Sequence, residues 1–294
     1  MNKITHSEPR KILISGANGY LGERLAQYLD QNGQLIVKST RSNSDLFSVE
    51  SLKKIVPEGG CIIHLAAADA ALCKSDATLA HQINVKGTQN FLEAAKEKKI
   101  NHFIYFSTIH VYGTPLAGEL NENTNTSPQN TYAKTHLDAE NLVKESGLNF
   151  TILRLSNALG CPLSPNGGAW KLLAHDLIKS SVVSNCLKLR SKGAQLRNFI
   201  PITELEKIIY YLIPNPQNTI VNVGSDVNLS VLELAKLIQL RIEQLNGKEI
   251  ILEVGSDDEG DSLFHFNVNR LSSLGVNLEY DLIPEIDRII KFVK

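Results

Sequence analysis

No apolar stretch in this chain of 294 residues approaches the ~20 residues that a membrane-spanning helix needs. The N-terminal stretch MNKITHSEPRK lacks the apolar centre of a signal peptide. Charge of one sign is equally scarce in runs. Basic residues number 30 against 31 acidic ones, and the lone cluster, KEKK at 96–99, falls near the end of an expected helix, where cations suit the dipole. Nothing here suggests a nucleic-acid surface. Cysteine is sparse: residues 61, 73, 161 and 186 have no metal-type spacing, and Cys61 and Cys161 sit in or beside expected strands. These absences lead to the expectation of a soluble cytoplasmic protein with reduced thiols, no metal, no membrane and no nucleic acid.

Apolar residues are plentiful, at 43% of the chain, enough for one large domain or two small ones. Short apolar runs alternate with helical patterns. KILIS (11–15), LIVKST (35–40), CIIHLAA (61–67), HFIYFST (102–108) and FTILRLS (150–156) read as strands. LGERLAQYLDQ (21–31), VESLKKIV (49–56), a long segment from Leu79 to Lys98 and the segment holding Tyr132 read as helices. Asn32-Gly33 ends the first of these helices and Pro57 stops the second. The strands are apolar throughout, as strands covered on both faces are. The alternation predicts an α/β fold with right-handed crossovers and a doubly wound parallel sheet.

After about residue 157 the texture changes and Gly, Pro and Ser loops become frequent. FIPITELEKIIYYLI (199–213) and IVNVGS (220–225) predict a return to the sheet, while SVLELAKLIQLRIEQL (230–245) and IPEIDRIIKFVK (283–294) are amphipathic helices. The expected division is a first domain over 1–157, with 198–224 returning to it, and a smaller C-terminal lobe from 158–197 and 225–294.

Between the first strand and the first helix lies SGANGYLGERLAQ, with Gly16, Gly19 and Gly22 in a G-x-x-G-x-x-G spacing. Glycines let the backbone turn sharply and approach a ligand closely. The helix N-terminus behind them offers free N–H groups and positive dipole charge to a pyrophosphate. That placement predicts dinucleotide binding on a Rossmann-type sheet. The end of the second strand bears on which dinucleotide. An acidic residue there would accept from the 2′-hydroxyl of NAD, but the sequence is LIVKSTRSNSD, where Ser39, Thr40 and Arg41 suit a 2′-phosphate. This favours NADP over NAD; the alternative is that Arg41 is only a solvated loop residue. Asp45 and Leu46 are placed to cover the adenine.

Six segments in order carry a resemblance: GANGYLG (16–22), HLAA (64–67), NVKGTQN (84–90), STIHVYG (107–113), QLRNFIPITEL (195–205) and NVGSDVNLSVLELAKLI (222–238). Together they resemble the extended short-chain dehydrogenase/reductases, the nucleotide-sugar epimerase/dehydratase/reductase family, over nearly the whole length. The resemblance implies a Rossmann domain with a substrate lobe, a nucleotide-sugar substrate and a homodimer. It also implies cofactor contacts from Gly16, Asn18, Gly19, Tyr20, Leu21, Gly22, Leu65, Ala66, Ala67 and Asn84, besides Tyr132 and the residue one helical turn beyond it.

In that family a Tyr and a Lys four residues on form the redox pair, the lysine holding the nicotinamide ribose and lowering the tyrosine pKa. Tyr132 fits; the lysine position holds His136, and Lys134, two residues along, points elsewhere on a helix. Lysine is charged at pH 7 unaided, whereas histidine is charged only where its surroundings raise its pKa. His136 is read as a working substitute, with slowed catalysis, or chemistry that needs the pair less, as alternatives.

In register with VYG, Thr108 falls at the family's catalytic Ser/Thr, or else caps backbone at the strand end. Sugar 4,6-dehydratases carry Asp-Glu at the next two positions; Ile109 and His110 stand there instead, and isoleucine cannot act as an acid. His110 is either an acid/base beside a ketone or a hydrogen-bonding partner of a substrate hydroxyl. Arg197 resembles the arginine on the substrate diphosphate, followed by Asn198 in place of the usual Asp. A second phosphate arginine is replaced by Glu259 in DDEGDS (257–262). Asn157 is placed to touch the sugar, and Trp170 either lines the substrate site or packs in the core. The expected activity is an NAD(P)-dependent oxidoreductase on a nucleotide-activated 4-keto sugar, by NADPH-driven ketone reduction. The alternatives are an epimerase with tightly held NAD and a cofactor-binding scaffold with little turnover.

Overall fold

A computed structural model describes residues 10–165, 167–257 and 262–294. The chain runs β1 (Lys11–Ser15), α1 (Tyr20–Gln31), β2 (Leu35–Ser39), α2 (Val49–Ile55), β3 (Cys61–His64), α3 (Ala70–Ser75), α4 (Ala77–His81), a π-type turn (Gln82–Lys86), α5 (Gly87–Glu97), β4 (His102–Thr108), a 3₁₀ turn (Ile109–Tyr112), β5 (Gly118–Leu120) and α6 (Thr131–Glu145). It continues through β6 (Phe150–Leu155), β7 (Asn157–Leu159), α7 (Leu173–Ser184), β8 (Cys186–Ser191), β9 (Leu196–Pro201), α8 (Ile202–Leu212) and β10 (Thr219–Val223). The last elements are β11 (Asn228–Ser230), α9 (Val231–Asn246), β12 (Ile251–Asp257), β13 (Phe264–Phe266), α10 (Asn269–Ser272) and α11 (Ile283–Val293).

The principal sheet has six parallel strands in the order β10-β6-β4-β3-β1-β2. Ile12, Leu13 and Ile14 of β1 and Ile62 and Ile63 of β3 are fully buried, which is why these runs carry no polar alternation. β2 is one of the two edge strands, and its Leu35 stays half exposed. β1 lies between β2 and β3, so the direction of strand addition reverses at the β1/β3 pair. In doubly wound sheets the crevice at the carboxyl ends of such a pair is where ligands bind.

Two compact units emerge: residues 10–106 with Thr135–Ile152 and Leu212–Thr219, and Ser107–Lys134 with Leu153–Tyr211 and Ile220–Lys294. In the second, Leu159, Leu177, Ile178, Leu234, Ile238, Ile286 and Ile289 form a buried core contributed by β7, α7, α9 and α11. Helix α9 starts with a reciprocal capping box between Ser230 and Glu233 and ends at Gly247 in the left-handed conformation. Among the described residues, no helix is long and apolar enough to cross a membrane.

Three local expectations are revised. CIIHLAA is a strand only to His64; residues 65–67 leave the sheet. The helix expected over Leu79–Lys98 is interrupted by the π-type turn at Gln82–Lys86, a feature that frees backbone groups inside a helix. FIP (199–201) lies not in the principal sheet but in β9 of a separate three-stranded sheet, β11-β9-β7; the return is made by β10. Glu259 lies outside the described residues.

Candidate cofactor cleft and active site

Gly16 has φ +66°, a conformation L side chains rarely adopt, and a Cβ there would meet the Ala66 nitrogen and the Leu65 carbonyl carbon at 3.0 Å. A Cβ on Gly22 would lie 2.3 Å from the Gly16 carbonyl oxygen. The Gly19 N–H donates to that same oxygen at 2.9 Å, and Glu23 N–H donates to the Gly19 carbonyl at 2.9 Å. The loop is thus wound tightly onto the start of α1, where no side chain caps the helix. Uncapped amides at a helix N-terminus, reached by side-chain-free backbone, are what a diphosphate requires, so the loop fits a dinucleotide.

A cleft of about 1290 Å³ opens beside this loop. Gly16, Asn18 and Gly19 line one part; Ser39, Thr40, Arg41, Ser42, Asn43, Asp45 and Leu46 line another; Leu65, Ala66 and Ala67 a third. Tyr20, Leu21 and Gly22 form the first turn of α1 and do not line it. The loop after β2 is knitted by its own hydroxyls, Ser39 Oγ to Ser44 Oγ at 2.8 Å and Thr40 Oγ1 to Ser42 Oγ at 2.9 Å. Arg41 is exposed. The Asp45 carboxylate turns back to accept the Phe47 N–H at 2.9 Å.

Behind the cleft is a directional chain of buried polar groups. Ser15 Oγ accepts the Leu65 and Ala66 N–H groups at 2.9 and 3.0 Å. Both its lone pairs are then used, so its O–H donates to His64 Nδ1, 2.8 Å away. His64 must therefore carry its proton on Nε2, which donates to Thr88 Oγ1 at 3.0 Å, and Thr88 donates in turn to the Asn84 carbonyl at 2.6 Å. Burial, with the nearby His136 adding to it, pushes the His64 pKa down to about 3, in keeping with a neutral ring.

The same chain accounts for NVKGTQN. Asn84 does not line the cleft; its Oδ1 accepts the Ala68 N–H at 2.7 Å and its Nδ2 donates to Thr135 Oγ1 at 2.8 Å. A Cβ at Gly87 would strike Leu46 Cγ at 2.6 Å, and Asn90 Nδ2 holds the Leu46 carbonyl at 3.0 Å. These residues fix the two loops that wall the cleft.

Tyr132 and His136 lie one turn apart on α6. Tyr132 is half-buried and Lys134 exposed. His136 is buried, with Nδ1 3.1 Å from the Tyr105 hydroxyl. In the second unit, Thr108 Oγ1 accepts the His110 N–H at 3.3 Å, capping the 3₁₀ turn; its own O–H can still donate. Burial first, and then the Arg197 charge, hold His110 below the usual imidazole range. Arg197 donates to the Leu196 carbonyl at 3.0 Å and to Gln195 Oε1 at 2.6 Å. Asn157 is exposed and donates to the Asn198 carbonyl at 2.8 Å. Trp170 packs on Phe292, centroids 6.2 Å apart, with the Lys179 ammonium 4.7 Å over its ring.

The family profile for NAD dependent epimerases/dehydratases matches residues 12–224. The chain belongs to the NAD dependent epimerase/dehydratase family. It is an extended short-chain dehydrogenase/reductase. YtcB of Bacillus subtilis (strain 168), named an uncharacterized UDP-glucose epimerase, is 28% identical over 286 residues, covering 85% of this chain and 87% of its own. The structure of RMD from Pseudomonas aeruginosa complexed with NADPH superposes with TM-score 0.81 at 20% identity, over 97% of this chain and 98% of that one. UDP-glucuronic acid 4-epimerase from Bacillus cereus, in complex with UDP-glucuronic acid and NAD, gives 0.76 at 22% identity over 96% and 98%.

Within this family member, sequence reading singled out the lining of the cleft but not its supports. Ser15, His64, Thr88, Tyr105 and Thr135 are not among the expected site residues, although His64 and Thr88 fall within HLAA (64–67) and NVKGTQN (84–90). A signal was present for two of them: Ser15 and His64 are polar residues closing apolar strands, and β1 and β3 place them in register.

Proposed function

We propose that this protein reduces the ketone of a nucleotide-activated 4-keto sugar with NADPH. The observation that carries the reading is the loop after β2, where Arg41 and a run of hydroxyls line the cleft and the first carboxylate, Asp45, is folded back onto Phe47 N–H. Such a lining suits a 2′-phosphate, and the end of β2 carries Ser39, Thr40 and Arg41 where a carboxylate would accept from a free 2′-hydroxyl. Gly16, Asn18 and Gly19, which line the cleft at the start of α1, would face the diphosphate, with Arg41 on the 2′-phosphate and His136 on the nicotinamide ribose. When bound, the cofactor supplies hydride to the carbonyl carbon.

The protein's own groups do the rest. Reduction at carbon leaves an alkoxide unless oxygen gains a proton, and Tyr132 gives it. The Thr108 O–H donates a hydrogen bond to that oxygen and polarises it. Arg197 pairs with the diphosphate of the sugar nucleotide, and Asn157 contacts the sugar. The position after Thr108 is a buried isoleucine, Ile109, which speaks against dehydration chemistry.

A second reading, epimerisation with retained NAD, is favoured by the naming of YtcB as a UDP-glucose epimerase. Following NADPH absorbance with a panel of nucleotide 4-keto sugars separates the two. Steady oxidation is the result expected of the reductase. Interconversion of two isomers without net oxidation, with NAD co-purifying, replaces it by the epimerase. No turnover, with His136→Lys gaining activity, replaces both by a cofactor-binding scaffold.

A further inference from the structure

We propose that the Tyr105 hydroxyl positions His136, holding Nδ1 of the imidazole and thereby making Nε2–H the donor that the ring presents. Tyr105 sits in the middle of β4 and His136 on α6; they are 3% and 4% exposed, with the hydroxyl 3.1 Å from Nδ1. A phenol O–H is a better donor than an imidazole N–H, and an imidazole nitrogen a better acceptor than a phenol oxygen, so the bond runs O–H to Nδ1. The phenol ring cannot swing away. It stacks against His64, with centroids 5.9 Å apart and planes at 27°, and His64 is itself pinned at both nitrogens by Ser15 and Thr88.

A lysine needs no such partner, because its ammonium carries three equivalent donors on a flexible stem. An imidazole has two unlike nitrogens fixed in one plane, and which one bears the proton is set by the bond the other makes. A histidine can therefore stand in for the lysine only if something anchors its far nitrogen. Tyr105 does so here. This inference deepens the proposed function, since it rests on His136 meeting the nicotinamide ribose.

Tyr105→Phe removes one oxygen and keeps the stacked ring. The first readout needs no cofactor. Long-range proton–nitrogen NMR correlation of the imidazoles at neutral pH is expected to show His136 protonated on Nε2 and accepting at Nδ1, and Tyr105→Phe to mix the tautomers. The second readout is the NADPH dissociation constant. Tyr105→Phe is expected to weaken it about tenfold in the wild-type background, and by no more than about twofold in a His136→Lys background, where no anchor is needed. A Tyr105 that merely props the fold would cost the same factor in both backgrounds. An Nδ1–H tautomer or an imidazolium in the wild type, or equal losses in both backgrounds, overturns the proposal. Failure of the wild type to bind NADPH overturns the proposed function instead, and the NMR result still decides the anchor.

Discussion

Ser15 donates its hydroxyl proton to His64 Nδ1 across 2.8 Å, joining the last residue of β1 to the last residue of β3 at the strand pair where the direction of strand addition reverses. The bond ties the wall formed by Leu65 and Ala66 to the glycine loop, because the same Ser15 oxygen accepts both of their N–H groups.

The His64 pairing makes the fold acid-sensitive. With a folded pKa of about 3 against an ordinary value of 6.5, the unfolded chain binds the extra proton throughout that window. Stability from the neutral ring is therefore complete above about pH 6.5 and falls as pH drops toward 3. His102, pushed down to about 4 by burial, adds to the same slope. Urea unfolding at pH 7 and pH 4.5 measures it. His64→Gln, which can still accept from Ser15 and donate to Thr88, is expected to be less stable at pH 7 by about 1–2 kcal/mol and to lose less between the two pH values.

Gly22→Ala tests the glycine loop. Its Cβ would lie 2.3 Å from the Gly16 carbonyl oxygen, a backbone atom that can yield only by moving the loop. The variant is expected to lose at least about tenfold in NADPH affinity and to show a smaller shift in melting temperature on adding NADPH. Differential scanning fluorimetry with and without cofactor reads both.

Arg41→Ala bears on the choice of dinucleotide. An exposed guanidinium lining the cleft can pair with a 2′-phosphate but has no special partner on a free 2′-hydroxyl. The NADPH dissociation constant is expected to rise about tenfold and that of NADH to stay within about twofold, by calorimetric titration.

Asn198 stands where the family resemblance leads to the expectation of an aspartate, and its hydrogen bonds are ones an amide alone can make. Its Nδ2 donates to the Ser225 carbonyl and to Asn228 Oδ1, at 2.7 and 2.8 Å, while Oδ1 accepts the Ser225 N–H at 3.0 Å, in space left by Gly224. A carboxylate cannot donate to those two oxygens. Asn198→Asp is expected to destabilise the protein by about 2 kcal/mol, measured by urea unfolding at pH 7.

Much of the sheet was legible because its inner strands are buried on both faces and the intervening helices keep one apolar stripe; β1, β4 and α6 fall where periodicity places them. The glycine loop was legible because only glycine serves at Gly16 and Gly22. The interruption at Gln82–Lys86 was not, since a π-type turn leaves the apolar pattern of its helix nearly unchanged and the Asn84 within it bonds to the distant residues 68 and 135. The Tyr105–His136 pair was invisible for the same reason: it joins residues 31 positions apart on a strand and a helix, and only the fold brings them together.

In the proposed function, the glycine loop and the hydroxyl-rich loop after β2 bind a dinucleotide carrying a 2′-phosphate. Isothermal titration of the purified protein with NADPH and, separately, NADH measures this. Saturable one-to-one binding of NADPH is expected, at least about tenfold tighter than that of NADH. Tighter binding of NADH, or no heat from either, would contradict it.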